Sequence, residues 1–280
     1  MDVFFNLPLA EGGLIVALAF FCEYIDSAIG MGYGTIMSPV LLMMGFEPLV
    51  VVPSILLSEL VTGFFAGFTH HSMGNVDFMP RTMNIVRILR GLRKMGILRG
   101  FSYGVPRHLK IVLLLGAMSI LGTMVAVFLA TSLPARAVKL YIGAMIFVIG
   151  VVIIATMHLN LAFSWSRIVV LGLLSSFNKG ISGGGYGPVV TGGQLLAGVD
   201  PKNTIGITSL SEAITCIGGV ALYLMSGSVD WLLAPYLVIG AMLSLPFAAF
   251  TIKRARTRSI RFTVGVVTII LGIYTLWQIL

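Results

Sequence analysis

Residues 178–188 read Asn178-Lys179-Gly180-Ile181-Ser182-Gly183-Gly184-Gly185-Tyr186-Gly187-Pro188, between apolar segments at about 163–178 and 187–198. Each glycine disfavours a helix by roughly 1 kcal/mol relative to alanine, and Pro188 suits the first turn of a new helix. A helix entering this stretch is therefore expected to stop, and a second one to start just beyond it. The surrounding chain is strongly apolar, with 58% hydrophobic residues, 10% charged residues and a mean hydropathy of +1.03. Soluble domains carry about 25% charged residues, so the break is expected to lie inside a membrane. There the backbone N–H groups it frees need a partner, and the partly positive start of a helix favours an anion.

The break is duplicated. Glu23 to Asp77 reappears without a gap as Ser176 to Asp230, so that Gly30-Met31-Gly32-Tyr33-Gly34 matches Gly183-Gly184-Gly185-Tyr186-Gly187. Glu47-Pro48 matches Asp200-Pro201, Ser58-Glu59 matches Ser211-Glu212, and Gly74 to Asp77 matches Gly227 to Asp230. Further on, Gly116-Ala117-Met118 returns as Gly240-Ala241-Met242, and Arg136 to Lys139 as Arg258 to Arg261. The shrinking offset leaves about thirty extra residues in the first copy, at about 78–108. The reading is an all-α integral membrane protein of two repeats, 1–158 and 159–280, each with five hydrophobic segments. The segments after each glycine run, near a dozen residues, are too short to cross unaided and read as half-helices or re-entrant pieces. Nothing alternates as a membrane β-barrel would.

The net charge of +8 is localised. Eight of the 18 Lys and Arg lie between Phe78 and Lys110 with no acid among them, and five more between Lys253 and Arg261. These read as cytoplasmic loops contacting lipid head groups, not as a nucleic-acid surface. With both loops on one side, an even number of crossings joins them, and the second copy enters the membrane from the opposite face. Five segments per copy thus predict an inverted repeat with both termini outside, and a multi-pass protein of the cell membrane. Cys22 and Cys216 read as small buried residues, and His70 and His71 as interfacial polar residues. Adjacent histidines on a helix point about 100° apart and chelate poorly.

Ionisable residues inside the apolar segments mark the candidate chemistry, because each charge there costs at least about 2.5–3.5 kcal/mol. Lys179 precedes the second break, and its repeat mate is Asp26. In an inverted repeat the two could meet near the axis, as an anion-binding cation and its counter-charge or as a structural pair. Glu59 and Glu212 are also mates. A buried carboxyl can exchange a proton, which makes Glu59, Glu212 and Asp26 candidates for coupling or gating. The candidate substrate lining comprises Lys179, Asn178, Ser182, Tyr33 and Tyr186, the glycines Gly32, Gly34, Gly185 and Gly187, and Gln194, Thr208 and Ser209. Copy two is the more polar and is expected to hold the substrate. Glu23 lies one turn before Asp26, but its mate is only Ser176.

Each copy also carries a pattern of glycine run, proline, an apolar stretch ending Gly-x-x-Pro, and a helix closing in Gly-x-Val-Asp. Copy one reads Gly30 to Gly34, Pro39, Gly45-Phe46-Glu47-Pro48 and Gly74-Asn75-Val76-Asp77. Copy two reads Gly183 to Gly187, Pro188, Gly198-Val199-Asp200-Pro201, Thr208-Ser209-Leu210 and Gly227-Ser228-Val229-Asp230. This pattern resembles the TauE/SafE sulfite exporter family, also called the toluenesulfonate uptake permease family, over nearly the whole chain. The resemblance implies secondary transport of sulfur oxyanions or organosulfonates without a cofactor. Glu59, Glu212 and the basic insert stand outside the general pattern. The expected partners are a small anion and membrane lipids, with a homodimer compatible with the chain. The competing expectation is a cation or metal carrier using Glu59, Glu212 and Asp26, which Lys179 beside the break opposes. No Ser/His/Asp set, metal motif or nucleotide loop argues for an enzyme.

Overall fold

The computed structural model describes residues 7–30, 32–79, 105–155, 164–197, 199, 201–226, 231–251, 262, 266 and 269–277. Most of the basic insert, the cluster at 253–261 and the second Gly-x-Val-Asp motif lie outside these. All regular structure among the described residues is helical. The elements are α1 (Leu9–Ile29), α2 (Tyr33–Met43), α3 (Pro48–Ser72), α4 (Arg107–Ser132), α5 (Ala135–Ala155), α6 (Trp165–Ser182), α7 (Tyr186–Leu196), α8 (Pro201–Ser226) and α9 (Ala234–Thr251). Residues 269–277 form α10.

Helices α3, α4, α5 and α8 are long and apolar enough to cross a membrane. The eleven residues of α2 and of α7 reach only about 16 Å, roughly half of a ~30 Å hydrocarbon core, as their shortness predicted. The breaks fall where the glycines put them. Gly30 ends α1 at φ 71° and Gly183 ends α6 at φ 72°, and Gly32 and Gly185 follow at φ 140° and 77°. All four are left-handed or related conformations that a Cβ opposes, and they recur at matching places in the two copies. The closing bonds also match: Gly30 N–H donates to the Asp26 carbonyl at 2.6 Å, and Gly183 N–H to that of Lys179 at 2.8 Å.

The repeat governs packing as well as helix limits. Helix α1 lies along α9, and its mate α6 lies along α4; α3 touches α9 as α8 touches α4. The central pair is α3 and its own mate α8, which cross in opposite directions. Gly63 sits against Ser209 and Ala213, Gly67 against Leu210, Gly219 against Leu56, and Gly206 against His70. Small residues permit such close crossings where lipid offers no competing hydrophobic force. Gly240 of α9 faces the backbone of α1, and a Cβ there would lie 2.2 Å from the Val16 carbonyl oxygen. Gly240→Ala is therefore expected to part α1 from α9 and destabilise the protein by about 1–3 kcal/mol. Thermal unfolding in detergent measures this, and a melting temperature equal to wild type would contradict the packing.

Three apolar clusters hold the bundle. One joins α1, α2, α5 and α9 through Tyr33, Met37, Ile142 and Leu237; another joins α4, α7 and α8 through Ile111, Leu115, Tyr186 and Ile207. The third ties α3, α4 and α8 through Leu56, Ala126 and Tyr223. Cys22 and Cys216 are buried and free, as their apolar context predicted. His70, near the end of α3, is 3% exposed, and its Nδ1 lies 3.1 Å from the Asn75 amide nitrogen. The turn after α3 folds Val76 back into the second cluster and carries His70 inward with it. Lys139, at the start of α5, pairs with Glu47 at 3.2 Å and ties α5 to the turn between α2 and α3.

Candidate functional site

The two breaks meet. A Cβ on Gly34 would lie 2.0 Å from the Gly183 carbonyl oxygen, and one on Gly184 would lie 2.6 Å from that of Gly34. Reciprocal hydroxyl bonds stitch the breaks together. Ser38 in α2 donates to the Ser182 carbonyl at 2.6 Å, and its mate Thr191 in α7 donates to the Gly30 carbonyl at 2.5 Å. Gly185 N–H donates to the Thr35 hydroxyl at 3.0 Å. The Gly185 N–H and the carbonyls of Gly30 and Ser182 are thus met by the opposite copy.

Lys179 stands in the last turn of α6 and is fully buried. Its ammonium pairs with Glu59 Oε2 and, at 2.8 Å, with Glu212 Oε1. These carboxylates are repeat mates from the middle of α3 and of α8, so the cation sits where the two long helices cross. Sequence reasoning paired Lys179 with Asp26; the structure instead gives it both glutamates. The antiparallel crossing of α3 and α8 brings Glu59 and Glu212 to the end of α6 from either side. Asp26 stays on its own break, where its Oδ1 accepts the Tyr33 N–H at 3.3 Å. Glu59 Oε1 accepts the next N–H, from Gly34, at 3.2 Å. The positive start of α2 is therefore occupied by two of the protein's own carboxylates. At the equivalent place before α7 stands Lys179, the mate of Asp26.

The neutral candidates divide. Tyr33 joins the centre through its hydroxyl, 2.8 Å from that of Ser58 and donating to the Leu237 carbonyl at 3.4 Å. Asn178 accepts a bond from the Tyr141 hydroxyl, and Ser182 closes its own turn onto the Asn178 carbonyl at 2.6 Å. Gln194 donates to the Thr208 hydroxyl at 3.0 Å, and Thr208 lies 3.0 Å from that of Thr191, which extends the cluster to the first break. Ser209 does not join, because its hydroxyl donates to the Ile205 carbonyl of its own helix. Gly32 packs on Ile25. Gly187 is buried in the first turn of α7. Tyr186 is fully buried beside Ser211 and Thr215, but its hydroxyl has no partner of normal geometry among the described residues, and neither has the Gln194 carbonyl oxygen. These two atoms belong to α7, the copy-two short helix; a third, the Ser54 hydroxyl, belongs to α3.

Two residues escaped the sequence reading, and a third, Glu23, was noted beside Asp26 but not carried into the candidate set. Thr191 and Tyr141 carry no signal of their own in an apolar run. Glu23 does carry one, as an acid in the middle of α1, but the comparison with Ser176 drew attention away from it. It is 2% exposed, and it accepts bonds from Ser27 at 2.7 Å and Thr62 at 3.4 Å.

The sequence profile of the family described as "Sulfite exporter TauE/SafE" matches residues 15–89 and 95–275, which is most of the chain. The chain belongs to the TauE/SafE family. It is also similar to a "Probable membrane transporter protein YtnM" of Bacillus subtilis (strain 168). That relative is 24% identical over 267 residues, covering 91% of this chain and 79% of the relative. As a member of the TauE/SafE family, the protein is a multi-pass membrane transporter and not an enzyme.

Proposed function

We propose that the protein is a secondary carrier of a small sulfur-containing anion, sulfite or an organosulfonate, bound where the two breaks meet Lys179. The observation that carries this reading is the fully buried Lys179 at the junction of both breaks, held by one glutamate from each copy. A sulfite or sulfonate group presents several acceptor oxygens. An ammonium and the N–H groups at a helix start supply matching donors. Family membership supports the sulfur-anion class, and the matched packing of the copies and the antiparallel crossing of α3 and α8 support an inverted repeat. Alternating access then follows from one copy rocking against the other about the α3–α8 crossing.

In this reading Glu59 and Glu212 act as tethered anions. Glu59 holds both Lys179 and the Gly34 N–H, the two donors a substrate would use. An arriving anion displaces that carboxylate, and after release the carboxylate returns and closes the site. The cation-carrier alternative is weaker, because the Lys179 ammonium already occupies the place between Glu59 and Glu212 that a cation would take.

Glu59→Gln removes the competing charge while keeping a similar shape. Apparent KM for the anion is expected to fall several-fold, on the order of 1 kcal/mol, with slower turnover. Initial rates of sulfite uptake into proteoliposomes across a concentration series measure this. A KM that rises sharply would mean that Glu59 helps to bind the substrate and does not compete with it.

A further inference from the structure

Glu23 is the buried acid that the proposed exchange at Lys179 leaves unused. It lies in α1 one turn before Asp26, on the side that meets α3. The other three acids at the centre have strong donors: Lys179 for Glu59 and Glu212, the Gly34 N–H for Glu59, and the first N–H of α2 for Asp26. The hydrogen bonds of Glu23 come from two neutral hydroxyls, Ser27 and Thr62. Thr62 also donates to the Ser58 carbonyl at 3.1 Å, so it gives Glu23 only part of one bond. Thr62 lies on α3 within the antiparallel crossing with α8.

Titratable groups surround this carboxyl on several sides. Cys22 and Asp26 share its helix, and Tyr33 faces it from α2. Lys179 of α6 and Glu212 of α8 act on it electrostatically. Glu59 of α3 lies beyond them on Lys179, and α9, packed along α1, brings Tyr236 against Gly12 toward the far end. The His70 imidazole lies from α3 against the Ser27 backbone, and Lys179 is the one lysine or arginine in this set. Glu59, whose carboxylate holds Lys179, stands three residues before Thr62 on α3, so the Thr62 hydroxyl ties the Glu23 carboxyl to the turn that carries the Lys179 pair.

We infer that Glu23 is the coupling residue, binding one proton each time an anion binds at Lys179. The inference rests on the anion reading above. A bound anion consumes the charge of Lys179. Glu23 is then left among Asp26, Glu212 and the substrate with only hydroxyl donors, and it takes up a proton. When the anion leaves, Lys179 again faces the acids and the proton can depart. Asp26, one turn away and less buried than Glu23, is the neighbouring carboxylate through which the proton can pass. No bond other than O–H forms or breaks: the proton comes from water, resides on a Glu23 carboxylate oxygen, and returns to water. Linkage is reciprocal, so protonation of Glu23 raises anion affinity as much as anion binding favours protonation.

The test compares wild type with Glu23→Gln in proteoliposomes, with uptake into empty vesicles subtracted. Methanesulfonate, which does not titrate near neutral pH, is used beside sulfite. Two fluxes are read: counterflow at equal pH on both sides, and net accumulation driven by a pH gradient. Glutamine resembles the protonated carboxyl, so counterflow is expected to stay within about twofold of wild type. Gradient-driven accumulation is expected to fall at least about tenfold, and the pH dependence of apparent KM to flatten. Glu23→Asp, which keeps the titrating group, is expected to restore part of the accumulation. Full gradient-driven accumulation by Glu23→Gln would overturn the inference. So would loss of counterflow, which would put Glu23 in the anion site or the structural core. Failure of wild type to exchange either anion would instead overturn the anion reading itself.

Discussion

Lys179→Ala is expected to abolish transport of sulfite and sulfonates, with uptake reduced at least about 100-fold, equivalent to about 2.7 kcal/mol. The side chain is the cation that joins both breaks, and no other Lys or Arg among the described residues pairs with Glu59 or Glu212. Its loss also leaves two buried carboxylates without their counter-charge. Breaking a buried ion pair on one side destabilises by about 3–5 kcal/mol, so the variant is expected to melt well below wild type. A second variant separates folding from function. Lys179→Met combined with Glu59→Gln and Glu212→Gln removes every charge from the triad while preserving volume. Replacing a whole buried ion group by neutral residues of similar size is often neutral for stability. The triple variant is expected to regain most of the lost melting temperature and still not transport. Substantial uptake by either variant would remove Lys179 from the site.

The second large effect belongs to the contact between the breaks. Gly34→Ala puts a methyl group 2.0 Å from the Gly183 carbonyl oxygen, an obstacle of backbone and not of a movable side chain. Either the breaks separate or α2 shifts, and both outcomes pull the Gly34 N–H from Glu59. Overpacking of this kind costs about 1–3 kcal/mol. Transport is expected to fall severely, because the binding geometry is built from the same backbone. Gly13→Ala, also inside a helix, serves as the comparison: nothing lies within 4 Å of its added Cβ, and it is expected to be neutral or to stabilise by up to about 1 kcal/mol. Thermal unfolding and sulfite uptake measured on both variants decide the matter. Equal behaviour of the two would mean that the breaks do not touch in the working protein.

Much of this centre was legible before any coordinates. Glycine density gave the breaks, because left-handed backbone leaves a direct mark on residue choice. Gly30 and Gly183, at φ 71° and 72°, lie at corresponding positions of the two copies. The repeat also gave the short helices α2 and α7 and singled out Glu59, Glu212 and Lys179, since ionisable residues are rare in lipid. The partnership within that triad was hidden. Repeat arithmetic shows which residues are equivalent under exchange of the copies, and it paired Lys179 with Asp26 on that ground. Contact depends instead on where the helices cross, and the opposed directions of α3 and α8 bring Glu59 and Glu212 together. Glu23 was obscured by a related bias: a residue without a polar mate looks incidental in a repeat. The copies differ at two buried ionisable positions, with Asp26 against Lys179 and Glu23 against Ser176.

The account stands most directly on counterflow. Wild-type protein in proteoliposomes preloaded with unlabelled sulfite is expected to draw in labelled sulfite in a saturable way. Methanesulfonate should compete, and divalent cations should have no effect. Flux of a divalent cation through the same vesicles, with no exchange of either sulfur anion, would contradict it.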